Sequence, residues 1–279
     1  MRKQITIFAI LLLFGINTIA QVRPARRREY NAFLESTTLV VKDQNPFSGY
    51  NKKIKEEMER FWTITPFEII TFEEFEQKRT DDSYSFMILA DIKQDRLPHV
   101  YQFINFAIGH PSRIFNRMPD LGSVPLAYRY IDEDNYLYKM GVFVQYMQRQ
   151  VEERASRRSF SLTKFLDVKD GAIHEMELWL LEDELAPDVN TVEKIAQYYP
   201  YSVRIVTRSD IELAIIEQRD DVAILHKIGP EDTLEFGRGK TWKFIVTVKG
   251  AEILYTSDHD VDRENPDAFL KDDFEKLAK

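Results

Sequence analysis

Two stretches of the chain carry one pattern. FEIITFEEFEQKRTDDSYSFMIL runs from Phe67 to Leu89, and YSVRIVTRSDIELAIIEQRDDVAIL from Tyr201 to Leu225. Each reads as an apolar run, a Thr, an acidic residue followed by an apolar one, an Arg, a pair of aspartates and a second apolar run. Two diverged copies of a long unit, rather than a tandem array of short ones, point to two similar lobes and away from a solenoid.

The agreement extends beyond these stretches. In the first copy TTLVVKD (Thr37 to Asp43) is a β-branched run and hence a strand. Ile54, Met58 and Phe61 then fall on one face of a helix. Pro66 introduces the strand FEIITF, and Thr71 with Glu74 has capping-box spacing for the next helix. YSFMILADI is apolar on both parities, as a strand buried on both faces is. In the second copy ELWLLEDE is the first strand, and Val192, Ile195, Ala196 and Tyr199 share a helical face. YSVRIVT follows as a strand, then SDIELAIIEQR as a helix with Ser209 as N-cap and Glu212 at the capping-box position, then the strand VAILHKIGP. HVYQFINFAIG and KTWKFIVTVKG end at Gly109 and Gly250, LAYRYI and AEILYTS read as antiparallel returns, and each copy closes with a helix. The expected fold is α/β, with two duplicated lobes, each β-α-β-α-β-β-β-α with a mixed, mainly parallel sheet covered by helices.

The expected divisions are a signal peptide at 1–20, a basic N-terminal segment at 21–35, a first lobe at 36–155, a linker at 156–174 and a second lobe at 175–279. Asp170-Gly171 is a turn dipeptide that predicts a hairpin leading into the second lobe. In the helix closing the first lobe, Leu137, Met140, Val144, Met147 and Val151 recur at steps of three and four. This seam predicts burial against its own lobe or the second one, with Gln145, Gln148, Arg149 and Glu152 turned to water.

At the start of the chain, Arg2 and Lys3 precede an apolar run from Ile5 to Phe14, and Thr18 and Ala20 are small residues at the positions a signal peptidase reads. The apolar run is shorter than the roughly 20 residues a spanning helix needs. Cleavage near Ala20, export to the periplasm or beyond, and a mature chain without a transmembrane span are therefore expected. Losing Arg2 and Lys3 takes the formal net charge from −8 to −10. An acidic body of this kind argues against nucleic acid as a partner. There is no Cys, so stability rests on core burial rather than on disulfides. Arg23, Arg26, Arg27 and Arg28 crowd the new N-terminus, where a solvated tail is expected in preference to contact with anionic lipid or an acidic partner.

No G-x-S-x-G elbow, P-loop, G-x-G-x-x-G or H-E-x-x-H occurs in the sequence. Gly237-Arg238-Gly239-Lys240 precedes a strand where a phosphate loop would open a helix, and reads as a connecting turn. The nearest approach to a metal site is SDHDVD, where Asp258, Asp260 and Asp262 surround His259. The run lacks the glycine and distal Glu of an EF-hand, so a solvated acidic turn is expected, with no metal and no cofactor. The aromatics of Tyr198-Tyr199-Pro200-Tyr201 and of YQFINF read as core in preference to a carbohydrate platform.

Ligands of parallel α/β sheets bind beyond the carboxyl ends of the strands. Those ends carry Asp43, Gln44 and Asn45 in the first lobe and Glu182, Asp183 and Glu184 in the second. These six are the candidate ligand-binding residues, an acidic lining suited to a cation or a hydroxyl-rich ligand; no catalytic residue is assigned. The order of elements resembles that of thioredoxin-like folds and of the small α/β modules of bacterial envelope-assembly proteins. The likeness is one of fold, which carries no function, and the cysteines of thioredoxin-like redox chemistry are absent. Two functions are expected to compete. One is an exported, non-enzymatic cell-envelope or secreted binding and scaffolding protein, with an envelope protein or polysaccharide as partner. The other is a carboxylate-dependent hydrolase acting on glycans, its acid and base about 5–9.5 Å apart in an interlobe cleft.

Overall fold

The computed structural model describes residues 23–93, 99–112, 114, 117–156, 172–231 and 239–279. The expected signal peptide, the Asp170-Gly171 hairpin and the Gly237-Arg238 half of the connecting turn lie outside these residues.

The first lobe holds β1 (Thr37–Val41), β2 (Phe67–Ile70), β3 (Tyr84–Lys93), β4 (Val100–Ile108) and β5 (Asp120–Tyr128) in the order β2-β1-β3-β4-β5. The second holds β6 (Glu177–Leu180), β7 (Val203–Ile205), β8 (Val222–Ile228), β9 (Lys240–Thr247) and β10 (Ile253–Asp260) in the order β10-β9-β8-β6-β7. In each sheet the first strand pairs in parallel with the second and third, and the last three pair antiparallel. The chain is thus a two-lobe α/β protein with two similar five-stranded sheets. The sheets are evenly mixed rather than mainly parallel: in each, two pairings are parallel and reached by long crossovers, and two are antiparallel.

Among the described residues seven helices cover the sheets: α1 (Arg27–Leu34), α2 (Gly49–Phe61), α3 (Phe72–Lys78), α4 (Met140–Ser156), α5 (Val192–Ile195), α6 (Arg208–Ile216) and α7 (Lys271–Leu277). Strand alternation divides them between faces. Val40, Met87, Ile104 and Phe106 pack under α1, α2 and α4, while Leu39, Val41, Phe86 and Ile88 meet Phe75 of α3. In the second lobe Leu178, Leu180 and Leu225 pack with Ile195 next to α7's Phe274, and Trp179, Leu181 and Ile224 meet Ile211 and Ile215 of α6. The two crossover helices of each lobe therefore lie on opposite faces of its sheet.

Local sequence fixes most helix starts. Ser48 accepts from Tyr50 N at 3.2 Å to open α2, and Thr71 with Glu74 forms the expected capping box of α3. At α6 the box is Thr207 with Asp210, not Ser209 with Glu212. The strand before it ends at Ile205, so the helix opens two residues early, and Glu212 is left to pair with Lys53 of α2 in the other lobe. The helix read through Tyr199 is a single turn, in which Ile195 and Tyr199 reach the core and Val192 and Ala196 are exposed. Nor is the basic N-terminus a tail from Arg23 onward. Pro24 bridges to Asp120, Arg23 pairs with Glu29 at 2.7 Å, and Tyr30 and Phe33 of α1 are buried in the first core. Burial of those two rings outweighs the solvation of Arg26, Arg27 and Arg28, which stay exposed.

Helix α4 joins the lobes. Met140, Val144, Met147 and Val151 are buried in the first core, and Leu137, on a 3₁₀ turn ahead of the helix, is partly buried there. Tyr138 and Val142 face the other way, into the core beneath α6. Gln145, read as solvent-facing, is instead clamped to the second lobe: its amide nitrogen donates to Val248 O at 3.3 Å and its oxygen accepts from Gly250 N at 3.0 Å. At the far end of the seam the Tyr128 hydroxyl accepts from Lys240 N at 3.0 Å and donates to Lys240 O at 2.7 Å. Among the described residues no helix is long and apolar enough to cross a membrane.

Candidate functional site

The seam between the lobes also holds a pocket of about 270 Å³. One wall is the end of β5 and the chain after it, with Leu126, Ile131, Asn135 and Tyr136. The other is the carboxyl edge of β6 and β8, with Asp183, Glu184, Lys227 and Gly229, closed by Arg208, Glu231 and Asp267. Both crossovers of the second sheet contribute to this edge, one through Asp183 and Glu184 and the other through Arg208 at the start of α6.

The pocket's charges are largely paired. Asp183 and Glu184 lie on a 3₁₀ turn directly after β6. Arg208, at the start of α6, donates to Asp183 Oδ2 at 2.6 Å and to Asn135 Oδ1 at 2.9 Å, so one guanidinium ties both lobes. Lys139 is 1% exposed and donates to Glu184 Oε1 at 3.0 Å; burial pulls its pKa below the ordinary lysine value against the field of Glu184. Glu184 Oε2 is buried and has no hydrogen-bond partner among the described residues. Asp267 is saturated: Lys227 Nζ at 2.8 Å and Glu231 N at 2.7 Å reach Oδ2, and Thr241 Oγ1 at 2.6 Å reaches Oδ1. Gly229 permits this, since a Cβ there would lie 1.7 Å from Asp267 Oδ1. Glu231 takes a left-handed φ of 51° to make its bond to Asp267. Desolvation, with the charge of Asp267, pushes its carboxyl above the ordinary range against the pull of Lys227.

Of the six residues read from the sequence, Asp183 and Glu184 line the pocket and Glu182 is exposed beside them. Asp43, Gln44 and Asn45 do not. Their loop folds back on α2, with Asp43 N donating to Asn51 Oδ1 at 2.7 Å and Asn51 Nδ2 donating to Asn45 O at 3.2 Å. Asp43 acts on the site only through its field, which joins burial and Glu133 in raising the pKa of Tyr136. The acidic run SDHDVD is not a loop: Asp258, His259 and Asp260 belong to β10, and Lys240 pairs with both aspartates. Asp262 caps its own turn through Glu264 N and Asn265 N, and the described residues hold no cluster of three His, Asp or Glu suited to a metal.

Asn135, Tyr136, Lys139, Arg208, Lys227, Glu231 and Asp267 were missed in the sequence. One signal was present: Lys139 and Lys227 are cations inside apolar runs, and a buried cation needs a buried partner. Comparison with protein-family models, curated proteins and solved structures finds no match to this chain.

Proposed function

We propose that this chain is an exported binding and scaffolding protein of the cell envelope or extracellular space, built by duplication of one α/β module. The two similar sheets support the duplication, and the short apolar N-terminal run ending in Thr18 and Ala20 supports export. The observation that carries the binding reading is the pairing of charge in the pocket. Asp183, Glu184 and Asp267 each hold a cation, an arrangement that stiffens a recognition surface. Acid–base catalysis asks for carboxyls free to exchange protons during the reaction.

One observation favours the glycan-hydrolase alternative, namely the raised carboxyl of Glu231 in the same pocket as the open oxygen of Glu184. The two readings separate experimentally. The secreted form, expected to begin at Gln21, is incubated with isolated envelope fractions and soluble glycans, and both co-sedimentation and new reducing ends are measured. Saturable retention without new reducing ends is the expected result. Reducing ends that disappear in Glu231→Gln would establish the hydrolase instead, and absence of retention on every fraction would refute the binding reading.

A further inference from the structure

We infer that the interlobe pocket seats a primary ammonium group, carried by an amino-acid-sized ligand or at the end of a longer one, on Glu184 Oε2. The inference rests on the binding reading above and names its ligand class. Glu184 is 8% exposed and lines the pocket. One of its carboxylate oxygens is held by Lys139 and the other has no partner among the described residues. A carboxylate oxygen only accepts, so this one is open to a donor that the described residues do not supply. Of the other pocket carboxylates, Asp267 takes three hydrogen bonds and Asp183 is engaged by Arg208, while Glu231 is exposed at the rim where water serves it.

Charge selects among donors. Asp183, Glu184, Glu231 and Asp267 face Arg208 and Lys227, with Lys139 behind Glu184. Among the described residues that leaves one negative charge in excess, which a monocation balances and an anion aggravates. A divalent metal fits poorly, because it needs several oxygen ligands and would share its carboxylate with the Lys139 ammonium. Size sets the scale: about 270 Å³ equals some nine water volumes of roughly 30 Å³, below the range of drug-sized sites. Leu126, Ile131 and Ile228 offer an apolar wall for a short carbon chain.

The test is calorimetric titration of the secreted form with n-butylamine, and in parallel with butyrate, N-acetylglucosamine and calcium, at pH 7 and matched ionic strength. Saturable binding of the amine alone is expected, weakened at least tenfold in Glu184→Gln. Since that substitution strands Lys139, its far-ultraviolet circular dichroism is checked. Asp183→Asn, at an exposed residue, gives a second reading, with several-fold weaker binding expected. No saturable amine binding would mean that an ordered water alone serves Glu184 Oε2 and would overturn the inference, as would equal amine affinity in both variants. Preference for the sugar or calcium would overturn it as well. Envelope retention that persists while amine binding is absent would sink this inference and leave the binding reading standing.

Discussion

The Lys139 ammonium of the first lobe lies 3.0 Å from the Glu184 carboxylate of the second, with both residues at least nine-tenths buried. Such a pair is costly to break from one side, because the survivor is left charged in a place without water. Lys139→Met is expected to lower unfolding free energy by about 3–5 kcal/mol, and Lys139→Met with Glu184→Leu to recover most of the loss. Urea denaturation of the three proteins measures this. A double variant no better than the single one would show that the pair holds more than its own charges.

His226 sits in the same seam, its ring tilted against Phe143, with Nε2 bonded to Pro125 O at 2.9 Å and Nδ1 without a partner among the described residues. Burial, aided by the charge of Lys139, lowers its pKa to about 3. The folded imidazole therefore stays neutral where the unfolded one, near 6.5, takes a proton. Between pH 6.5 and about 3 the unfolded state holds the extra proton, so stability falls as pH falls, by about 1.4 kcal/mol per unit. His226→Phe should remove that slope while losing the bond to Pro125. Denaturation midpoints at pH 7, 6, 5 and 4 decide it, and an unchanged slope in the variant would assign the acid sensitivity elsewhere.

Tyr128 both accepts from and donates to the backbone of Lys240, which fastens the first sheet to the start of β9. Removing the hydroxyl leaves a backbone N–H and C=O without this partner, at about 0.5–1.5 kcal/mol for each hydrogen bond. Tyr128→Phe is accordingly expected to lose about 1–3 kcal/mol and to speed hydrogen exchange at Lys240 N selectively. Exchange that rises uniformly along the chain would argue against a local clamp.

How much of this was legible beforehand varies with the range of the interaction. The apolar runs of TTLVVKD and YSFMILADI and the Thr71 cap depend on neighbours in sequence, and they appear where the pattern placed them. The choice of Thr207 over Ser209 as cap depends on where β7 ends, which pairing with β6 decides. Half of the pocket's acidic edge could be read because Asp183 and Glu184 follow a strand directly. Asp43 follows one too, yet its loop is captured by Asn51. Arg208, Lys227 and Asp267 meet only through tertiary packing, so no spacing in the chain announces them.

The N-terminus yields a simpler expectation. Arg23 pairs with Glu29, and Tyr30 and Phe33 are core residues, so the chain shortly after the expected cleavage point at Ala20 is built into the first lobe. Edman sequencing of secreted material should start at Gln21. A start beyond Pro24 would remove its bridge to Asp120 and should lower the melting temperature.

Helix α4 carries the last prediction. Met147 is 2% exposed in the first core, and Val142, on another side of the same helix, is 2% exposed in the core beneath α6. Met147→Ala should cost about 2–5 kcal/mol, through lost burial and the cavity left behind. Val142→Ala removes less, about 0.8 kcal/mol for each carbon plus its cavity term. Because one helix serves both cores, either loss should be felt by the whole chain as a single lowered calorimetric transition. If Val142→Ala instead splits the melt into two transitions, the lobes are independent units touching along a weak seam. Sedimentation of Met147→Ala supplies the complementary check: unchanged stability with a shift from dimer to monomer would make this face a partner surface, whereas its position inside the first core predicts a destabilised protein of unchanged association state.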